Sequence, residues 1–430
     1  MSQASPVIES RPEPTQFFRW LVLLFVSVPM FGNYYVYDCI EPIADLLSKQ
    51  LGFSDKNIGL LQGIYSAPNV IMVLVGGLIV DRIGTRKAIL LFGTLCFIGA
   101  AVTVTAPHLA VMATGRLIFG LGAESLIVAI TTAVAKWFRG KELSFAFGIN
   151  LMIARCGTLL AQTSPSWARG AYATWRTPLL IAVGFASLCI IGAVVYWILE
   201  AYSERTHALG EGSTDKVVFS DIFKFGVSYW YIVALCIVFY SAIFPFETFG
   251  IKFFMDAHGT SRQMGGALLG MLTAFTMFGT PTFGLFVDRI GKRALLMMFG
   301  SVLLIPVYLM MAYTSVSLYV PMAMMGVAFA LIPAVMWPSV AYIVGQEKLG
   351  TAYGLMTMIQ NIGLFGFNVL IGWANDDAGA SASNPRGYNL GMQIFSILGL
   401  LGLMFAFLLR QRELGPHGHG LETITTSHPA

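Results

Sequence analysis

The chain has 430 residues, of which 56% are hydrophobic, 13% aromatic and only 11% charged, with a mean hydropathy of +0.73. A soluble domain carries roughly 25% charged residues, so an ordinary cytosolic protein is excluded. The formal net charge of +4 comes from Lys and Arg grouped at the ends of apolar runs, the pattern of a membrane face rather than of a nucleic-acid interface.

A spanning helix needs about 20 mostly apolar residues, because its backbone polar groups find no water in lipid. Residues 1–16 hold Pro6, Pro12 and Pro14 and no apolar run, so a disordered tail without a signal-peptide pattern is expected. Twelve spans follow. The first six fall at about 17–40, 57–80, 87–106, 109–136, 144–168 and 177–200, and the second six at about 229–254, 263–287, 293–313, 316–344, 351–374 and 389–410. A polar linker, 201–228, separates two bundles, 17–200 and 229–410, and a polar tail occupies 411–430. His417 and His419 read as part of that tail rather than as metal ligands. An even number of spans puts both termini on one side, and most Lys and Arg residues collect there, which makes it the cytoplasmic side. Cys39, Cys96, Cys156, Cys189 and Cys236 lie in or beside apolar stretches, as small buried hydrophobes rather than as a disulfide framework.

The end of the second span reads Gly77-Leu-Ile-Val-Asp81-Arg82-Ile-Gly84-Thr-Arg86-Lys87. The end of the eighth reads Gly284-Leu-Phe-Val-Asp288-Arg289-Ile-Gly291-Lys292-Arg293. Self-similarity at about half the chain length means two related halves. The glycines suit close helix approach and a tight turn, and Asp81 and Asp288 suit the N-terminal end of a neighbouring helix. This paired motif resembles that of the major facilitator superfamily. The resemblance implies an all-α membrane protein of twelve transmembrane helices in two pseudo-symmetric six-helix bundles, with the motif holding the halves in one state.

A charged side chain at the bilayer centre costs at least about 2.5–3.5 kcal/mol, so such residues are functional candidates. Glu124 lies about 18 Å along its helix from Lys136, and Arg155 about 21 Å from Lys141, at 1.5 Å per residue. Opposite charges on adjacent antiparallel helices thus reach similar depth. They form either a structural salt bridge or a site for a ligand with both an amine and a carboxylate. A dipeptide spans roughly 7 Å at about 3.5 Å per residue, and Arg155 can fork onto its carboxylate while Glu124 accepts its ammonium. Arg116, in Arg116-Leu-Ile-Phe-Gly120-Leu-Gly122, reads either as a bond to helix ends and part of the conformational switch, or as a proton relay. Asp38, Glu41 and Glu247 fall near helix ends, where a wetted carboxylate is cheap; Asp38 follows Tyr34, Tyr35 and Tyr37 and suits an outer gate. Polar and aromatic side chains beside prolines complete a cavity: Tyr65 and Asn69 at Pro68, Tyr240, Phe244 and Phe246 at Pro245, and Trp337 at Pro338, with Gln360 and Asn361 along span eleven.

Several stretches narrow the resemblance. They are Tyr37-Asp38, Tyr65-Ser-Ala-Pro68-Asn69, Gly115-Arg116-Leu-Ile-Phe-Gly120-Leu-Gly122-Ala-Glu124-Ser125, Trp137-Phe-Arg-Gly-Lys141-Glu142-Leu143 and Ala154-Arg155-Cys-Gly157. Phe244-Pro245-Phe246, Trp337-Pro338, Leu349-Gly-Thr-Ala-Tyr-Gly354 and Ile359-Gln360-Asn361-Ile-Gly363-Leu364 continue them. Across essentially the whole bundle the chain resembles the lysosomal dipeptide transporter family. That resemblance implies uniport of dipeptides, with preference for Lys, Arg or His side chains, and implies that Glu124 and Arg155 hold the peptide's two ends. Short loops, with no acidic dileucine and no Asn-x-Ser/Thr sequon, suit a bacterial plasma-membrane relative, for which no accessory subunit is implied; a lysosomal membrane would apply to a eukaryotic source. Glu247 departs from the expected pattern. The competing readings are a proton-coupled carrier of another small organic solute, titrating at Glu124 or Asp38, and a non-transporting membrane receptor. No nucleophile–base pair, metal spacing or nucleotide loop suggests an enzyme, metal or cofactor.

Overall fold

The computed structural model describes residues 12–138, 142–206, 224–416 and 418–425. Arg139, Lys141, His417, most of the 201–228 linker and most of the N-terminal tail lie outside these residues. Among the described residues twelve helical segments are long and apolar enough to cross a bilayer: Gln16–Leu51, Asp55–Ile83, Thr85–Thr103, Leu109–Phe138, Leu143–Gln162 and Arg176–Thr206, then Val227–His258, Arg262–Ile290, Arg293–Tyr313, Tyr319–Ile343, Gln346–Asp377 and Pro385–Glu413. They are called spans one to twelve here. The described residues hold no β-strand; Ser381 and Asn384 form an isolated bridge.

The packing repeats between halves. In the first half span one packs on five and six, three on four and six, and two on four; in the second, seven packs on eleven and twelve, nine on ten and twelve, and eight on ten. Adding six to each number converts one set into the other. The halves meet along two further pairs related in the same way, span two against eleven and span five against eight.

Three boundaries differ from the sequence expectation, each for a local reason. Span one does not end near residue 40: after the helix Gln16–Asp38 the chain turns through Glu41–Ile43 and continues as Ala44–Leu51, where Pro42 supplies the first residues of a short 3-10 turn without needing an N–H bond. Span two is also broken, between Asp55–Gly63 and Ser66–Ile83. Span five stops at Gln162, and Pro165 starts a separate short helix, Ser164–Trp167.

The inter-half seam is tight on the face away from the termini, called the distal face below. A Cβ at Gly59 would lie 2.1 Å from the Asn368 carbonyl oxygen, and one at Gly266 2.4 Å from that of Gln162. Only glycine lets spans two and eleven, and five and eight, touch there through backbone. Charges reinforce the seal. Lys252 of span seven pairs with Asp55, Arg262 Nη2 of span eight bonds Asp45 Oδ2 at 2.6 Å, and Asp376 of span eleven accepts from the Asp55 and Lys56 amides at 2.8 and 2.9 Å. The last contact caps the helix Asp55–Gly63, where an anion is favoured.

On the terminal face the described ion pairs stay within one half. Arg86 pairs with Glu204 at 2.7 Å, and Lys136 with Glu200 at 2.7 Å and Glu204 at 3.5 Å, joining spans three, four and six. In the second copy Arg293 bonds Asp288 at 3.2 Å, lies over Tyr342 and donates to the Ile424 carbonyl. The repeat was expected to place Asp288 at a helix N-terminus; it instead holds Arg293. Glu422 fills that role, accepting from the Ala294 and Leu295 amides at 2.9 and 3.2 Å. Residues 418–425 are therefore packed against the second motif, with Leu421 buried and His419 bonded to Glu413. Gly84 and Gly291 turn the two motifs at φ of +82° and +64°. Gly76 rather than Gly77 is the fully buried member of its pair, set against Ser125. Asp81, Arg82 and Arg289 are exposed.

Candidate functional site

A cavity of about 280 Å³ lies between the halves, lined from spans one, two, four and five on one side and seven, ten and eleven on the other. Its charged lining side chains are Glu124, Arg155 and Asp38. Glu124 Oε1 accepts a 3.0 Å hydrogen bond from the Tyr65 hydroxyl. That contact depends on Gly120, one helical turn before Glu124. A Cβ at Gly120 would lie 2.3 Å from the Tyr65 carbonyl oxygen, so glycine lets span four reach the break in span two.

Arg155 forms no ion pair among the described residues. Its guanidinium carbon lies 5.7 Å from the ring centres of both Tyr34 of span one and Phe329 of span ten. Cation–π contact places it without consuming its five N–H donors. A structural salt bridge between Glu124 and Arg155 is therefore not present, and both remain available in one cavity.

The second half contributes an aromatic and amide wall. Trp337 Nε1 donates to the Tyr240 hydroxyl at 2.9 Å, and the Tyr353 hydroxyl to the Trp337 carbonyl at 3.2 Å. Tyr240 stacks on Phe244 at 5.7 Å, and Phe244 meets Tyr37 edge-on at 6.2 Å across the seam. Tyr37 in turn meets Tyr65 at 4.8 Å. Asn361 donates to the Thr357 carbonyl and leaves its own Oδ1 without a partner, while Gln360 presents its amide to the cavity.

Ten sequence candidates thus share one cavity: Glu124, Arg155, Tyr37, Asp38, Tyr65, Tyr240, Phe244, Trp337, Gln360 and Asn361. Two candidates lie outside the lining: Phe246 packs on Phe254, Tyr308 and Phe395 within the second half, and the other is Asn69. It is fully buried behind the wall and donates to the Tyr65 carbonyl one turn back at 3.1 Å. Sequence reasoning missed Asn33, Tyr34, Thr158 and Thr357 as lining residues. Tyr34 alone carried a usable signal, as a member of the tyrosine run before Asp38.

Arg116 is neither on the terminal face with the repeated motif nor in the cavity wall. It is 1% exposed and donates to the carbonyls of Leu61 (3.3 Å), Val36 (2.8 Å) and Tyr37 (3.1 Å) and to Gln62 Oε1 (2.8 Å). These acceptors close the helix ends at the breaks in spans one and two, where carbonyls lose their intrahelical partners. Its role is to staple the two broken helices. The acids near the distal helix ends are not wetted either: Asp38, Glu41 and Glu247 are 3%, 1% and 3% exposed. Gln162 Nε2 bridges Glu41 Oε2 at 3.2 Å and Glu247 Oε1 at 3.4 Å, and its own Oε1 accepts from Thr273. Packing of the halves, which hydropathy does not register, is what buries them.

The Major Facilitator Superfamily profile matches residues 26–368 and 248–423. The lysosomal dipeptide transporter MFSD1 of Danio rerio is 31% identical over 430 aligned residues, covering 96% of this chain and 91% of that protein. Its Homo sapiens counterpart is 30% identical, covering 92% and 87%. Among solved structures, a bacterial homologue of the human lysosomal transporter Spinster, inward-facing and unoccupied, superposes with a TM-score of 0.75 at 18% identity, covering 93% of this chain and 98% of that one. The nucleoside transporter NupG superposes with a TM-score of 0.72 at 14% identity, covering 91% and 99%; these two likenesses concern the fold alone. The chain belongs to the Major Facilitator Superfamily of transporters and, within it, to the family of the lysosomal dipeptide transporter MFSD1.

Proposed function

We propose that this protein carries dipeptides, preferentially those with Lys, Arg or His side chains, across the membrane by alternating access as a uniporter. The observation that carries this reading is a carboxylate and a guanidinium in one cavity with no salt bridge between them. The peptide ammonium is assigned to Glu124 and its carboxylate to Arg155, where a forked pair gives direction as well as strength. The aromatic wall of Tyr240, Phe244 and Trp337 and the amides of Gln360 and Asn361 receive the side chains. Binding between the halves favours their closure on the terminal face, since Glu124 and Arg155 come from the first half and Tyr240, Phe244 and Trp337 from the second. In the described state the distal seam is shut, so substrate enters or leaves from the terminal face. That face is assigned to the cytoplasm from its positive charges, and the membrane to a bacterial plasma membrane from the short loops.

The test is uptake of labelled dipeptides into proteoliposomes by the wild type, Glu124→Gln and Arg155→Ala. The expected result is saturable wild-type flux lost in both variants while each elutes as a folded species. Unchanged flux in either variant removes that residue from the site.

A further inference from the structure

Two buried carboxyl groups in the distal seam have no part in holding the peptide. Glu41 of span one and Glu247 of span seven come from opposite halves and are 1% and 3% exposed. One fully buried amide joins them across the seam. Gln162 Nε2 donates to Glu41 Oε2 at 3.2 Å and to Glu247 Oε1 at 3.4 Å, and Gln162 Oε1 accepts from Thr273 Oγ1 of span eight at 2.6 Å. Asp38, three residues before Glu41, faces Glu41 from the same half and also reaches Thr158.

Among the described residues no ion pair reaches Glu41 or Glu247. The cations around the cluster are Arg155 of span five, which acts on Asp38 and Glu247, and Arg116 of span four, which acts on Asp38. Arg155 lies between Tyr34 and Phe329, and Arg116 has its donors on Val36, Tyr37, Leu61 and Gln62. Lys252, further along span seven, is paired with Asp55. Tyr37 and Cys39 of span one and Tyr308 of span nine close the remaining sides. Carboxylates crowded together away from water do not all stay charged, and a proton between them relieves the cost. Rocking leaves Asp38 and Glu41 together in the first half and carries Glu247 away with the second. Water then reaches the separated carboxylates. The closed seam therefore holds one proton more than the open one.

We infer that the distal seam is a proton latch: a proton shared by Glu41 and Glu247 holds it shut, and opening requires its release. On opening, the carboxyl O–H bond breaks and the proton passes to water on the distal side; closing takes a proton back from that same side. No proton crosses the membrane, so the latch is compatible with uniport. It sets how often the distal face opens, not what drives flux. The inference rests on the alternating-access part of the reading above and is independent of the cargo. The proton count fixes the sign: distal acid favours the closed seam and distal alkali the open one. The ratio changes by at most about tenfold for each pH unit, beginning as pH rises past about 4.3, the ordinary value of a wetted glutamate.

Hydrogen–deuterium exchange of the full chain in lipid nanodiscs tests this, read as protection after correction for the pH dependence of the chemical exchange step. In the wild type, protection of the segment from Asp45 to Lys56 is expected to fall by about tenfold or more between about pH 5 and about pH 8. Protection of the first turn of span nine, inside the second half, should stay level. In Glu247→Gln, whose amide donates to Glu41 without a proton, distal protection should be equal at both pH values. Glu41→Gln carries the same expectation from the other side of the seam and replaces the first variant if that one does not fold. Wild-type distal protection that ignores pH, a pH response equal in both segments, or a pH response kept in either folded variant overturns the latch. Ala-Ala uptake into proteoliposomes loaded with a pH-sensitive dye is the second arm. Peptide entry is expected to leave luminal pH as in a protein-free control. Acidification that keeps pace with entry overturns return of the proton to its own side. Absence of flux overturns the dipeptide reading alone, because the exchange result decides the latch without it.

Discussion

The two faces of this bundle use charge in opposite ways. On the distal face buried charges join the halves, Lys252 to Asp55, Arg262 to Asp45 and the Asp376 carboxylate to the Asp55 and Lys56 amides, while the exposed Lys49 pairs with Asp45 within the first half. On the terminal face Arg86, Lys136 and their Glu200 and Glu204 partners stay in the first half, and Arg293, Asp288, Arg410 and Glu422 stay in the second. The difference teaches where the switch acts. Pairs within a half survive a rocking motion unchanged, so they set the rigidity of each half. Pairs across the seam must break for the distal face to open, so they set the population of the two states.

Four substitutions would break or sharpen that contrast, the largest effect first. Arg116→Ala removes the guanidinium donor from the Leu61 carbonyl and the Gln62 oxygen, and leaves the Val36 and Tyr37 carbonyls only the Cys39 thiol and the Gln62 amide as side-chain donors. Each unsatisfied buried acceptor costs about 1–3 kcal/mol, so thermal denaturation in detergent should show the greatest destabilisation of the four, with loss of folded protein. A melting profile equal to wild type would show that Arg116 is not the staple. Arg155→Ala, which has no ion pair to lose, should keep its melting temperature and lose dipeptide affinity by about a hundredfold, the scale of a forked charge-assisted contact. Isothermal titration separates the two quantities.

Lys252→Ala removes one partner of a buried cross-seam pair and should raise the open-distal population by about tenfold, or 1.4 kcal/mol. Hydrogen–deuterium exchange in the segment from Asp45 to Lys56 would report it, and unchanged exchange would show that the seam is held by glycine packing alone. Glu422→Ala, a cap within one half, should cost only about 1 kcal/mol. It should speed exchange at the start of span nine and leave the distal segment as it was. A distal response to Glu422→Ala would abolish the distinction between the faces.

The sequence made the spans legible because a bilayer imposes a length of apolar chain that few other structures need. It made Glu124 and Arg155 legible because charge at that depth is rare. The paired motifs exposed the two-fold repeat, which the packing of spans one to six and seven to twelve then follows. Other features arise only from contact between distant segments. Hydropathy puts Asp38, Glu41 and Glu247 at helix ends, and only the closing of span seven against span one makes them buried. The break after Asp38 merges Ala44–Leu51 into span one, although this piece has too little apolar length to be read as membrane helix. Residues 418–425 carry no periodicity, and their order comes from Glu422 and Leu421 meeting the Arg293 turn. Asn69 resembled a cavity residue because it sits beside Pro68, yet the same break that exposes Tyr65 turns Asn69 to the backbone.

The central claim is that Glu124 reads the amino end and Arg155 the carboxyl end of a short peptide. Competition by a free dipeptide, its N-acetylated form and its C-amidated form, measured on wild type, Glu124→Gln and Arg155→Ala, tests it most directly. The account predicts that blocking either end weakens wild-type binding by about tenfold or more. The acetyl penalty should vanish only in Glu124→Gln and the amide penalty only in Arg155→Ala. Equal competition by all three peptides in the wild type, or penalties that vanish in the wrong variant, would contradict it.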